Sequence, residues 1–351
     1  MSAPPANALQ GAIQKLAFRE PLTAEDAEAA FDVVMQGQAT AVQIAALLSA
    51  LRATGESPEV VAGVVRALRS AMISLAVDDP DGLVDTCGTG GGAVATFNIS
   101  TAAAIVAAGA GVRIAKHGNR SFTSRSGSAD VLEALGVPIE VPVAVMEAAL
   151  RDVGLVFMFA PLMHPAMRHV GPVRRELAIP TVMNIVGPLA NPARAGRQVV
   201  GVADLERVPV LAAALSALGT THALVVHGEP GLDEVSPLGP THVIEVRNGS
   251  TSRWTIHPDE HGFTKIARED LAGSEPGENA KIIEKILDGG GPKGARAAIV
   301  LNAAAAIYVS GRVESYAEGV SAAAKAIDSG KAKSVLERLR RAYTKPPRAA
   351  T

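Results

Sequence analysis

The chain has a single cysteine, Cys87, in 351 residues. That excludes an internal disulfide framework and suits a reducing compartment. Aromatic residues make up only 3% of the chain against a hydrophobic content of 48%, so the core must be packed mainly with Ala, Val, Ile and Leu. No apolar run reaches the ~18–20 residues of a membrane span, because Arg, Lys, Asp or Glu interrupts each one. No membrane partner is expected. The formal net charge of −2 lacks the basic excess that nucleic-acid binding needs. Met1 to Gln10 has neither the basic start nor the apolar core of a signal peptide. A cytoplasmic location is the expectation.

What the chain does have is glycine in one conspicuous place. Val84-Asp85-Thr86-Cys87 leads into Gly88-Thr89-Gly90-Gly91-Gly92, and Ser100-Thr101 then opens an alanine-rich helix. Glycine lets the backbone turn tightly and approach a ligand closely. Successive N–H groups in such a turn, with a helix N-terminus behind them, form an anion-binding concavity suited to phosphate or pyrophosphate. A glycine cluster taken alone is equally well a plain turn. It is not a dinucleotide fingerprint, because the helix starts late and Val112-Arg113-Ile114 stands where the distal acid is needed.

Residues 8 to about 76 read as four helices. Thr23 caps Ala24 to Met35, with Glu25 and Asp26 in the first turn. Thr40 and Gln43 form a capping-box pattern before Ile44, Leu47, Leu48 and Leu51. Ser57-Pro58 opens a helix expected to run to about Leu75. After the polar break Asp78 to Gly82, short apolar runs alternate with helical segments. Leu83 to Asp85, Val112 to Ala115, Val199 to Val202, Ala223 to Val226 and His242 to Val246 read as strands. Segments 101–108, 129–135 (capped by Ser128), 208–218, 278–288 and 294–309 read as helices. This alternation predicts an α/β class: a small helical domain plus a larger α/β domain with a mostly parallel sheet. Pro161 to Ile185 interrupts the rhythm with a basic, helical stretch that could pack back on the first helices.

Three further clusters could carry chemistry. Lys116-His117-Gly118-Asn119-Arg120, running on to Gly127-Ser128, is either a second phosphate cradle or a solvated basic loop. Asp233-Glu234 suits Mg²⁺, a hard cation bound through one or two carboxylates and substrate phosphates; an isolated acid pair is otherwise ordinary surface. Arg174 has the planar fork that recognises a carboxylate, or lies on a solvated helix face. His164 and His169 lack zinc-type companions, and the lone Cys87 thiol reads as inert.

In their order and spacing these segments resemble the anthranilate phosphoribosyltransferase family over nearly the whole chain. The matching segments are Asp85 to Gly91, Thr96 to Thr101, Lys116 to Arg120, Gly127 to Asp130, His164 to Met167, Gly187-Pro188-Leu189 with Asn191-Pro192, and Asp233 to Val235. The resemblance implies a helical domain of residues 1–77, joined by about 164–186. It implies an α/β domain of 78–163 and 187–345, and a frayed tail at 346–351. It further implies a homodimer through the helical domain and transfer of phosphoribosyl from 5-phosphoribosyl 1-pyrophosphate (PRPP) to anthranilate, with Mg²⁺. PRPP would be held by Gly88, Gly91, Gly92, Thr96, Asn98, Ile99, Ser100 and Thr101. Lys116, His117, Gly118, Asn119, Arg120, Ser121, Phe122, Thr123, Ser124 and Ser128 would complete that site. Gly88, Asn119 and Arg174 would bind anthranilate; Ser100, Asp233 and Glu234 would ligate the metal; no residue is assigned as an essential acid or base.

The chain departs from the family pattern at Gly92, where an aspartate is usual, and at Pro180 and Met183, where arginine and phenylalanine are usual. The rival readings are a pyrimidine nucleoside phosphorylase-like enzyme and a non-catalytic nucleic-acid-binding relative.

Overall fold

Helix starts in the first third follow local capping chemistry. In the computed structural model, which describes residues 8–94, 96–121 and 125–344, α1 spans Ala8–Ala17 and α2 spans Ala24–Met35. The Thr23 and Asp26 side chains satisfy each other's backbone N–H groups at the head of α2. Thr40 and Gln43 do the same for α3, Ala41–Thr54. Helix α4, Pro58–Ala71, begins as expected at Ser57-Pro58 but ends four residues before Leu75. At Met72 the chain turns extended, and Leu75 instead packs with Leu83 and Met163 in a small separate core.

The chain then builds the sheet: β1 (Val84–Gly88), α5 (Ile99–Gly109), β2 (Ile114–Gly118), α6 (Ser128–Ala134), α7 (Val143–Val153) and β3 (Leu155–Phe159). After the short α8 (Ala160–Met163) and α9 (Gly171–Leu177) come β4 (Arg197–Gly201), α10 (Val208–Ala217), β5 (His222–Gly228), β6 (Thr241–Arg247) and β7 (Ser250–Ile256). Helices α11 (Pro276–Leu287), α12 (Lys293–Val309), α13 (Tyr316–Asp328) and α14 (Lys331–Thr344) close the fold. The seven strands run in the order β3-β2-β1-β4-β5-β6-β7. The first five are parallel, and β6 and β7 are antiparallel additions.

Both faces of the parallel part of the sheet are covered, which is why its strands read as apolar runs rather than alternations. Leu224 and Val226 of β5 face α5 and α12; Ala223 and Val225 face α10 and the first four helices. The edge strand β3 is closed by Tyr343 of α14, whose hydroxyl accepts from the Phe157 N–H and donates to its carbonyl, each at 2.9 Å. Val170, Val173, Val182, Met183 and Ile185 share a core with α1 to α4, so the interrupting stretch does pack back on them. Strands β3 and β7 and helices α7, α13 and α14 have no counterpart among the expected elements. Strand β2 starts two residues later than expected and runs on through Lys116, His117 and Gly118, which are therefore not loop. Its register with β3 pairs Lys116 with Phe157 and Gly118 with Phe159.

Helices α2 and α4 touch most closely at Gly63, where an added Cβ would overlap the Ala24 carbonyl oxygen, whereas Gly11 in α1 faces open space. Gly63→Ala should destabilise the fold by about 1–3 kcal/mol, and Gly11→Ala should stabilise it by roughly 0.5–1 kcal/mol. Urea unfolding of both variants measures this; equal effects would mean the bundle adapts at Gly63.

Candidate active site

Four parallel strands, β1, β2, β4 and β5, end in glycine, at Gly88, Gly118, Gly201 and Gly228. Ligands of open α/β sheets collect at such carboxyl ends. At β1, β4 and β5 the missing side chains make room for Asp233-Glu234, whereas Gly118 faces Ser128 and Phe157. A Cβ at Gly201 would overlap the Asp233 carbonyl; one at Gly88 would lie 2.5 Å from Asp233 Oδ2, and one at Gly228 2.5 Å from the Glu234 carbonyl.

The acid pair is tied to both ends of the glycine segment. The Gly90 N–H donates to Asp233 Oδ2 at 2.8 Å, and the Ser100 N–H, in the first turn of α5, donates to Glu234 Oε1 at 3.2 Å. Gly90 and Gly91 take positive φ, 72° and 81°, which favours glycine there. Burial raises the pKa of both acids, and the Asp233 charge helps push Glu234 to about 8. A Cβ at Gly92 would lie 3.0 Å from the Gly231 carbonyl and 3.3 Å from Asp233 Oδ1, so an aspartate there would crowd a third carboxylate onto the pair.

Beneath this pair lies Lys116, 3% exposed. Its ammonium donates to the Thr86 carbonyl and sits 3.3 Å from Ser100 Oγ. Burial lowers its pKa, opposed by the charges of Asp85 and Glu234. Asp85 is wholly buried; it accepts from Asn191 Nδ2 at 2.7 Å and from the His117 N–H at 3.2 Å. Asn191 also donates to the Ala115 carbonyl at 2.8 Å, so the Gly187-to-Pro192 turn staples β1 to β2.

The other expected residues are placed as follows. Thr96 bridges to Ala272, and Ile99 is buried at the start of α5. Thr101 is also buried, and its Oγ1 has no partner. The Asn98 amide does not point free into the cleft: it donates to the Ser126 carbonyl and accepts from Ser126 Oγ and Asn279 Nδ2. Arg120 pairs with Asp130 and Glu133, at 2.8 and 2.6 Å. The Ser121 N–H bonds Asp130 as well. Ser128 is the first residue of α6 rather than its cap; Gly127 occupies the cap, and Ser128 Oγ donates to the Asn119 carbonyl. Phe122, Thr123 and Ser124 lie outside the described residues.

Arg174, on α9, is half-buried, its pKa lowered by burial, and it has no acidic partner among the described residues. The rings of His117 and His164 lie 5.0 Å apart. Burial holds them neutral, with pKa values of about 3 and 4, and the Nε2 of each is buried without a partner among the described residues. Cys87 is a bystander, its pKa pushed well up by burial. Met183 lies in the bundle core while Pro180 is exposed, so only the first departure is a packing change. Sequence reasoning singled out Asn191 only as part of its turn and missed Asn279 and Asn302; the legible signal was a lone amide inside an apolar run, as Asn302 is in α12.

Two family descriptions cover the chain. Residues 10–72 match "Glycosyl transferase family, helical bundle domain" and residues 80–333 match "Glycosyl transferase family, a/b domain". The anthranilate phosphoribosyltransferase of Rubrobacter xylanophilus is 49% identical over 330 residues, 94% of this chain and 96% of that protein. The chain belongs to the anthranilate phosphoribosyltransferase family. Among solved members, the Thermus thermophilus enzyme superposes with a TM-score of 0.90 at 41% identity, covering 95% of this chain and 99% of that one. The Saccharomyces cerevisiae member, in complex with PRPP and Mg, has a TM-score of 0.88 at 29% identity, covering 98% and 99%. A further structure of that yeast transferase is in complex with 4-fluoroanthranilate.

Asp85 gives this arrangement a pH signature. Its folded-state pKa, raised by burial to about 6 from 3.8, means the folded chain holds the proton more tightly than the unfolded chain. Stability from this group is complete below pH ~4 and is lost as pH rises through ~6. Asp85→Asn should therefore gain on the wild type by more than about 1 kcal/mol between pH 4.5 and 7. Urea unfolding at both pH values checks this, and a constant difference would count against the raised pKa.

Proposed function

We infer that the chain transfers the phosphoribosyl group of PRPP to the amine of anthranilate, giving N-(5-phosphoribosyl)anthranilate and pyrophosphate, a step of tryptophan biosynthesis. The carrying observation is that the half-buried acid pair and the glycine segment form one hydrogen-bonded unit, through Gly90 and Ser100. Two carboxylates and the Ser100 hydroxyl make an oxygen-only donor set, and phosphate oxygens complete the kind of shell that Mg²⁺ takes. Among the described residues no group of three or more His, Cys, Asp or Glu could hold a metal by itself. That fits a cation bound jointly by protein and substrate. When bound, Mg²⁺ offsets charge on the departing pyrophosphate.

The chain's own groups do the rest. N–H groups of Gly91 and Gly92, the α5 N-terminus and the 116–128 segment receive the phosphates. The amine nitrogen forms a bond to C1 of the ribose as the C1–O bond to pyrophosphate breaks, and its electron pair leaves with pyrophosphate. The ring gains positive charge while the leaving group gains negative charge, so fixed dipoles and Lys116 favour the transition state. The aromatic amine is already nucleophilic, and its surplus proton passes to solvent; holding the partners together supplies proximity. Arg174, lacking a protein anion, faces the anthranilate carboxylate, with Asn119 and Gly88 beside it.

The same reading divides the chain into the helical domain of 1–77 with 164–186 and the α/β domain of 78–163 and 187–345. It places the enzyme in the cytoplasm as a homodimer. Support for the dimer comes from α1 and α3, which pack together and leave Phe18 71% and Val42 79% exposed. A single monomer species in sedimentation at micromolar concentration would refute this interface. Among the described residues no helix is long and apolar enough to cross a membrane.

Loss of anthranilate fluorescence in the presence of PRPP and Mg²⁺, and none after chelation, is the expected result for the purified chain. No loss in either condition rejects the reading. Arg174→Ala should raise the anthranilate KM by about 10-fold or more, with little change in the KM for PRPP. Equal rises in both would remove Arg174 from the anthranilate side.

A further inference from the structure

Asn302 stands alone as an amide within the apolar body of α12, and it is 3% exposed. Its Oδ1 accepts from the Val235 N–H at 2.8 Å, and its Nδ2 donates to the Val235 carbonyl at 2.8 Å and to the Ala298 carbonyl at 2.9 Å. Both hydrogens and the oxygen are thus used, and the amide orientation is determined: reversing it would set a donor against the Val235 N–H. The side chain pairs with Val235 as a neighbouring strand would. Val235 directly follows Asp233-Glu234, whose opposite side is pressed against Gly88, Gly201 and Gly228. Asn302 also lines, with Thr86, Ser100 and Glu234, a cavity of about 10 Å³ under the acid pair.

We propose that Asn302 is a positioning residue that holds the main chain after Glu234 so that both carboxylates present oxygen to the cation. It touches neither substrate nor metal. Close contact with the strand-end glycines confines the acid segment, and the amide ties down the main chain that follows it. No other common side chain of this length both accepts and donates at the required separation. Aspartate keeps the acceptor but sets a carboxylate against the Val235 carbonyl; serine offers one hydroxyl for two backbone groups. Positioning groups behind metal ligands are worth about 10–100-fold in metal affinity.

The proposal rests on the reading of Asp233 and Glu234 as metal ligands, and Mn²⁺ alone can probe it without turnover. Mn²⁺ binding followed by electron paramagnetic resonance should weaken about 10-fold or more in Asn302→Ala. Asn302→Ser, which disturbs packing less, should fall between that variant and the wild type. At fixed Mg²⁺ the PRPP KM should rise in both while the anthranilate KM holds, and added Mg²⁺ should restore kcat. Tyr316→Phe is the control: it removes a 2.8 Å bond to the Leu301 carbonyl, next to Asn302 in the same helix, without removing either bond to Val235, and should bind Mn²⁺ like the wild type. The proposal alone is overturned if wild type turns over with Mg²⁺ and the folded Asn302 variants bind Mn²⁺ unchanged. It is equally overturned if Tyr316→Phe loses affinity to the same degree. Absence of both Mn²⁺ binding and Mg²⁺-dependent turnover in the wild type overturns it together with the functional reading.

Discussion

Two adjacent carboxylates, half-buried at the ends of three parallel strands, set the constraint around which this molecule is arranged. Burying charge is costly unless hydrogen bonds and opposite charges offset it. Asp233 and Glu234 receive one backbone N–H each, from Gly90 and from Ser100, and Lys116 adds an ammonium nearby. That compensation is incomplete, as the raised Glu234 pKa of about 8 shows. On the proposed function, a divalent cation and its phosphates would supply the remainder. Strand ends without side chains follow from the same demand, since only glycine lets a loop carrying two acids come this near three neighbouring strands.

The second organising feature is the stretch from Ala160 to Gly196, which belongs to neither regular layer. It reaches the bundle core through Val170, Val173 and Met183. It reaches the sheet through the His117–His164 contact and the Asn191–Asp85 bond. Arg69 of α4 grips the Leu189 carbonyl from the bundle side, at 3.1 and 2.7 Å. The bundle is thereby tied to strands β1 and β2, which carry the glycine segment and Lys116. Arg174 rides on this same stretch, so the group read as facing the acceptor and the groups read as facing the donor sit on differently anchored parts.

Much of this was legible before any coordinates. Capping chemistry is local, so Thr23, Thr40 and Ser57 announced their helices from a few residues each. Double-sided burial made the parallel strands readable as apolar runs, and motif order identified the family. Strand β7 escaped because its face is solvent-exposed and polar, with Ser250 to Arg253 all exposed. The reach of β2 escaped because Lys116 and His117 look like loop residues; their burial is made tolerable only by Thr86, Asp85 and the neighbouring strand. Asn98 and Arg120 read as ligand groups by type, yet partners distant in sequence engage them: Asn279 for the one, Glu133 for the other.

The sequence by itself determined the helical bundle, the alternating α/β layer, the glycine segment and the residue types available for phosphate, metal and carboxylate, because each depends on neighbours within a turn or a strand. Tertiary structure alone decided which of those groups are spent on one another. Asp233 meets Gly90 across 143 positions and Asn302 meets Val235 across 67. A hydrogen bond of that span has no local signature: it exists only once the fold has brought the two segments side by side.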